Sequence, residues 1–204
     1  GGEWVSRILG RYVNEKGKYT GLYFGTKSHF SDQQKTGIAA SIAKFPAHVA
    51  AVSGRPATDF NAFSLSEVPE GAKGSFDRII VMRMLHNMMN WNIADSEIKA
   101  MRDLLKDDGL LGIEQHRAKA DAPFSYTNGT KGYMREADII KFMEVNGFDL
   151  VAKSEINANP KDSANWPDGV WTLPPALRLK DVDRAKYEAI GETDRMTLLF
   201  KKRP

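Results

Sequence analysis

The chain has 204 residues, 42% of them hydrophobic and 27% charged, which is the profile of one soluble globular domain with room for a sizeable core. Lys and Arg number 29 against 26 Asp and Glu; a net charge of +3, scattered along the chain, argues against a nucleic-acid surface. There is no cysteine, which excludes disulfides, thiolate zinc sites and cysteine nucleophiles, and no apolar run approaches the roughly 18 residues of a membrane span.

Trp4, Val5, Ile8, Leu9 and Tyr12 recur at helical spacing and predict an amphipathic helix over 3–13, with Gly1 and Gly2 at its N-terminus. A polar turn over 14–18 leads to a β-rich run, YTGLYFG, over 19–25. Ser31 and Gln34 have capping-box spacing, and Ile38, Ile42 and Phe45 give one apolar face, so a helix is expected to about Lys44 and a stop at Pro46. HVAAVS over 48–53 reads as a short strand. The Pro- and Gly-bearing stretch 54–74 reads as loop.

Residues 76–117 form the central unit. FDRIIVM is an apolar run, Ile98, Met101, Leu104 and Leu105 mark a helix capped by Asp95 or Ser96 and ended by Asp107-Asp108-Gly109, and LLGIEQHR is a second apolar run. A crossover of this length predicts two parallel strands in one buried sheet. Arg83 and His86 follow the first strand, and His116 and Arg117 follow the second. In open α/β sheets ligands bind outside such carboxyl ends. A further helix over 135–146, with Ile139, Ile140 and Met143 inward and Gly147 at its end, precedes strands over 148–156 and 195–203; a short helix near 181–190 lies between them. The alternation predicts a doubly wound, Rossmann-like α/β fold with a mostly parallel sheet. The last two strands lack a proper crossover, which predicts a C-terminal antiparallel strand.

That ending resembles the class I S-adenosylmethionine-dependent methyltransferase fold, a three-layer sandwich whose seventh strand inserts antiparallel beside the fifth. FDRIIVMRMLHNM resembles the family's fourth strand, LLKDDGLLGIEQHR its fifth with the preceding turn, and READIIKFMEVNGFDLV its next helix and the entry to strand six. The GGEW start, the EQHRA segment and the GETDRMTLLFKK ending resemble a group of bacterial predicted methyltransferases, several carrying export signals. The resemblance spans nearly the whole chain. It implies one methyltransferase-like domain over 1–204 lacking its first strand and N-terminal helices, S-adenosylmethionine as cofactor, a small-molecule acceptor, and a bacterial cytoplasmic or periplasmic location. Gly1 and Gly2 match the tail of the family's glycine-rich cofactor loop, Tyr23 stands at the end of its second strand, Asp59 matches the adenine-contacting region after the third, and Arg83 is a cofactor contact or a structural ion pair. The family's acid at the end of strand two is absent from Leu22–Gly25, so either the cofactor is not gripped there or its ribose is held otherwise.

His86 reads as a general base or polar wall of the acceptor pocket, or as a cap on a nearby carbonyl. His116 shares the base role, being titratable near neutrality. Arg117 reads as a clamp on a substrate carboxylate or phosphate, or as the partner of Glu114 or a surface acid. Tyr133 and Arg135 flank the next helix and are weaker candidates. Trp166 and Trp171 either form a lid or pin the long loop, and pinning is the simpler reading. The four histidines show no metal-ligand spacing, and no nucleophile elbow, phosphate loop or intact dinucleotide fingerprint occurs. Three readings stand: a small-molecule methyltransferase, a non-catalytic binding protein with the same fold, and another nucleotide-dependent α/β enzyme such as a nicotinamide-dependent reductase.

Overall fold

Helical spacing at the start of the chain becomes helix α1, Gly2–Tyr12, in the computed structural model, which describes residues 2–12, 17–27 and 29–203. Gly1 and most of the turn expected over 14–18 lie outside the described residues. Contacts divide the chain into two units, Gly1–Gly71 and Ala72–Pro204.

In the first unit, strand β1 (Tyr19–Tyr23) pairs in parallel with β2 (Phe60–Ser64), Tyr19 opposite Phe60 and Tyr23 opposite Ser64. Between them runs helix α2 (Asp32–Ser53). The capping box forms as expected: Gln34 N–H donates to Ser31 Oγ at 3.2 Å, and Ser31 N–H to Gln34 Oε1 at 2.8 Å. Pro46 does not stop this helix, and the strand expected over 48–53 is its last two turns, closed by Gly54 at φ 76°. The reason is packing. Phe45 and Val49, on either side of the proline, are buried against Phe60, with the Tyr19 and Tyr23 rings 5.8 and 6.2 Å from Phe45. That burial outweighs one missing N–H donor. The stretch read as loop over 54–74 contains β2, whose FNAFS has neither clean alternation nor a β-branched residue to announce it.

In the second unit the strand–helix–strand expectation holds. Strand β3 (Phe76–Met82) is followed by helices α3 (Leu85–Asn90) and α4 (Ala94–Leu104), then strand β4 (Leu105–His116), parallel to β3. Ile79 and Val81 are buried but Ile80 is 51% exposed, so β3 buries one face rather than two. Neither Asp95 nor Ser96 caps α4. Ile93 is its N-cap; Ser96 Oγ donates back to the Ile93 carbonyl and Asp95 pairs with Lys99. The expected break at Asp107-Asp108-Gly109 lies inside β4, where the pairing jumps from Phe76–Leu105 to Arg78–Leu110.

After β4 come the short helix α5 (Phe124–Thr127), helix α6 (Glu136–Val145), strand β5 (Phe148–Ser154), helix α7 (Arg184–Ile190) and strand β6 (Arg195–Lys202). Ile139 and Met143 of α6 are fully buried, and Gly147 takes the left-handed conformation (φ 82°) that ends the helix. The sheet order is β3-β4-β6-β5, with β6 antiparallel to both neighbours. Met196, Leu198 and Phe200 are almost fully buried. The C-terminal antiparallel strand predicted from the missing crossover is therefore an inner strand. Among the described residues no helix is long and apolar enough to cross a membrane.

A proline in a helix interior costs about 3 kcal/mol relative to alanine. Pro46→Ala should therefore raise unfolding stability by about 1–3 kcal/mol, seen as a higher urea midpoint at unchanged slope. A lowered midpoint would show that the ring's own packing is worth more than the donor.

Candidate functional site

The carboxyl ends of β3 and β4 bring His86 and His116 together. His86 lies on α3, directly after β3, and His116 is the last residue of β4; their rings are 5.8 Å apart. Both are buried, at 4% and 9% exposure. Each ring is fixed through Nδ1. Gln115 Nε2 donates to the Gly132 carbonyl at 2.7 Å and lies 3.2 Å from His86 Nδ1. A carbonyl must receive an N–H, so the amide orientation is set; Gln115 Oε1 then lies 3.4 Å from the same His86 Nδ1, which can donate to Oε1 or accept from Nε2, so the contact holds the ring in either neutral tautomer. His116 Nδ1 is 2.6 Å from the Thr193 hydroxyl. Neither Nε2 has a hydrogen-bond partner among the described residues, and neither belongs to the buried atoms left without one, so both reach solvent. Trp171 closes one side with its ring 6.1 Å from His86, and Tyr133 stands 6.3 Å from His116.

Burial disfavours charge on both imidazoles. It pulls His86 below the ordinary 6.5 and, with the nearby His86, Arg195 and Arg83, pulls His116 to about 3. The expectation that these rings titrate near neutrality is corrected: they are neutral there. A base this weak is far from the working pH and removes protons poorly. The pair is better suited to hydrogen bonding a ligand.

Arg117 does not point at a substrate. Its five N–H groups are all used: Nε and Nη2 on Asp194 (3.1 and 3.0 Å), Nη1 on Glu136 (3.2 Å), and Nη1 and Nη2 on Glu155 (3.0 and 2.6 Å). Hydrogen bonds to Glu155 and Asp194 hold it still more firmly protonated than a free guanidinium. Its expected role as a clamp is corrected to a structural one, with three carboxylates in place of the single partner considered. Arg135 pairs locally with Asp138. Arg83 differs from both. Its backbone is left-handed at φ 52°, its N–H donates to the Glu114 carbonyl at 2.7 Å, and its half-buried guanidinium has no hydrogen-bond or ion-pair partner among the described residues.

Trp166 pins the long loop, as the simpler reading held. Its Nε1–H donates to Asp162 Oδ1 at 2.8 Å and its ring packs edge-on against Tyr187. Asp162 itself is fully buried and receives three further bonds, from the Tyr133 hydroxyl, Ala164 N–H and Asp194 N–H, each at 2.8 Å. Burial first, then Asp162, keeps the Tyr133 phenol protonated. Gln115, Thr193 and Asp162 were not singled out in the sequence. Only the place of Gln115, beside His116 at a strand end, could have marked it.

The remaining predicted residues lie in the first unit. Gly2 opens α1 and Tyr23 ends β1; the place expected for Asp59, after the third strand, is corrected, because 48–53 is helix and Asp59 precedes β2 at its amino end, where it accepts from Arg55 Nε at 3.0 Å. The carboxyl ends of β1 and β2 carry hydroxyls where a carboxylate was sought. Burial raises the Tyr23 phenol, keeping it a donor, and Ser64 bonds the Phe24 carbonyl at 3.1 Å and lies 2.9 Å from the Ser66 hydroxyl.

No family profile and no curated protein matches the sequence. Solved structures match its fold. The 4+2 cyclase SpnF aligns at 15% identity with a TM-score of 0.53, over 98% of this chain and 80% of SpnF. An S-adenosylmethionine-dependent methyltransferase from Methanosarcina mazei aligns at 11% and 0.51, over 96% and 85%. LepI in complex with SAM aligns at 9% and 0.52, over 99% of this chain but only 40% of LepI. The chain has the class I methyltransferase fold. Within that fold β3 and β4 are the strands the sequence resemblance took as fourth and fifth, and β6 is the inserted antiparallel strand.

Two tests follow from the side-chain geometry. Unfolding releases His116 to its ordinary 6.5, so below that pH the unfolded chain binds a proton that the folded chain refuses down to about 3. Stability is therefore full above 6.5 and falls as pH drops, by about 1 kcal/mol per pH unit for each such histidine between pH 6 and 5. Urea titrations across this range should show His116→Asn flattening the slope; an unchanged slope would mean that the imidazole is not buried neutral. Arg117→Met takes the shared cation from three carboxylates, of which Glu136 keeps Lys153, and should cost about 2–4 kcal/mol, while Arg117→Lys, with three donors for five acceptor contacts, should recover only part of it. A thermal midpoint unchanged in Arg117→Met would remove the cluster's structural role.

Proposed function

We propose that this protein is an S-adenosylmethionine-dependent methyltransferase acting on a small molecule, with the acceptor held at His86 and His116. The observation that carries the reading is the pair of neutral imidazoles, each fixed through Nδ1 and open at Nε2, at the carboxyl ends of two adjacent parallel strands in a methyltransferase-fold sheet. Fold alone does not choose the reaction, since a cyclase shares it.

The cofactor, when bound, supplies an electrophilic methyl on a sulfonium sulfur. The residues on this chain fit such a group without the usual acid: in this reading Tyr23 and the hydroxyls beyond β2 meet the ribose, and Gly2, at the start of α1, faces its carboxylate end, while Asp59, at the opposite end of β2, takes no part. The chain's other task is orientation. Placing two reactants in line supplies much of the rate in a displacement that needs no covalent enzyme intermediate. His86 offers Nε2 for a hydrogen bond, and Trp171 and Tyr133 supply flat walls. The same proposal takes 1–204 as one methyltransferase-like domain.

Calorimetry on the natural protein tests the cofactor. S-adenosylmethionine and S-adenosylhomocysteine should both bind with dissociation constants well below about 1 mM, and Tyr23→Phe should weaken both. No heat from either ligand at that concentration would defeat the methyltransferase reading and leave the non-catalytic binding protein as its replacement.

A further inference from the structure

We infer that the small molecule held at His86 and His116 carries an oxyanion, a carboxylate or a phenolate, and that Arg83 is the residue that selects it. The inference deepens the acceptor side of the function proposed above and rests on that reading of the cluster.

The argument begins with what Arg83 lacks. Cationic side chains are almost never fully buried unless paired, and a charge drawn even part-way out of water gains from a partner. The other arginines of this sheet end obey the rule: Arg117 holds three carboxylates, and Arg195 lies 2.7 Å from Glu114 and also pairs with Glu192. Of the three, only Arg83 has a side chain with neither hydrogen bond nor ion pair to any described residue. Its place is not accidental to the histidines. It directly follows β3 and its N–H binds the carbonyl of Glu114, two residues before His116 on the neighbouring strand. Its charge reaches His116, where it is the smallest of the causes that disfavour a proton, after burial, His86 and Arg195.

The second observation is backbone strain. Arg83 holds φ 52°, a region that glycine adopts freely and a side chain with a Cβ adopts at a cost. Glycine would fold this corner more easily. Strain of this kind gathers at ligand-binding positions.

The third is the sign of the charge. Arg83 brings a guanidinium beside two neutral imidazoles, and the acids at this sheet end are engaged elsewhere: Glu114 on Arg195, and Asp194 on Arg117. A cluster with one uncompensated positive charge, and imidazoles that can donate as well as accept, fits an anionic oxygen and rejects a cation. Charge-assisted hydrogen bonds to such an oxygen are roughly twice as strong as neutral ones.

Benzoate and 4-nitrophenolate, with neutral benzamide as control, probe this site without cofactor or turnover. The readout is the carbon–proton NMR signals of the His86 and His116 rings, assigned by His86→Gln. Either anion should shift both rings and bind at least about tenfold more tightly than benzamide, a difference of about 1.4 kcal/mol. Benzoate alone would identify a carboxylate site and 4-nitrophenolate alone a phenolate site. Arg83→Gln should bring the ratio close to unity, and Arg83→Lys should keep part of it. Arg83→Gly relieves the left-handed backbone while removing the charge, so lost discrimination in a variant as stable as the parent isolates the guanidinium. Equal binding of benzamide, an undiminished ratio in Arg83→Gly, or no ring shift from either anion at about 50 mM would overturn the assignment. Anion binding by a protein that shows no heat with S-adenosylmethionine would instead remove the methyltransferase reading and keep this one.

Discussion

One guanidinium with no free donor holds the sheet end of the second unit together. Arg117 follows β4 and gathers Glu136 from the start of α6, Glu155 from just beyond β5 and Asp194 from just before β6. Four elements therefore meet at one planar group whose five N–H directions are fixed. Lys153 adds a second cation by pairing with Glu136. The backbone repeats the arrangement: Arg117 N–H donates to the Asp194 carbonyl, and Met134 N–H donates to the His116 carbonyl. His116 sits one residue before this knot, so its ring has little freedom to drift from Thr193 or from His86.

A second, quite different centre extends the first. Asp162 is buried with no cation on its carboxylate, and four donors from Tyr133, Ala164, Trp166 and Asp194 occupy it instead. A carboxylate taken out of water needs either a counter-ion or a full set of donors, and here the long loop before α7 folds itself around the second solution. Because Asp194 serves both centres, through its backbone N–H to Asp162 and its carboxylate to Arg117, loop and sheet are mechanically one. The loop is thereby the support for Tyr133, which stacks on Tyr126 and stands beside His116. The polar machinery of this face is structural except where it stops, at Arg83 and at the two Nε2 atoms.

The architecture was largely legible in the sequence because it rests on local signals that tertiary contacts reinforce. The Ser31–Gln34 box, the apolar runs at β3 and β4, Gly147 after α6 and the missing crossover before β6 all mean in the fold what they mean in the text. The failures are tertiary overrides. Pro46 breaks helices by a local rule, yet Phe45 and Val49 find partners across the unit, and FNAFS becomes a strand because β1 lies ready to pair with it. For the site, sequence position located His86 and His116 at strand ends but left their protonation open, since that depends on burial that no spacing reveals. It could not tell Arg117 from Arg83. Both are arginines just past a strand, and only the three acids brought from 19, 38 and 77 residues away distinguish them.

That contrast bears on what kind of chemistry the face supports. A general base serves best when its pKa lies near the working pH, and an imidazole held at about 3 lies far below it. Were the acceptor to arrive with a proton that must leave during reaction, this pair would be a poor choice. An acceptor that arrives already ionised needs no base; burial, the main cause that depresses His116, disfavours any charge, so an anion there depends on a cation beside it. Arg83 enters both effects, as the smallest cause of the low basicity of His116 and as a positive field that favours an anion beside it. The fold, shared with a cyclase as well as with a methyltransferase, leaves the reaction open; the sign of that field narrows which molecules can enter.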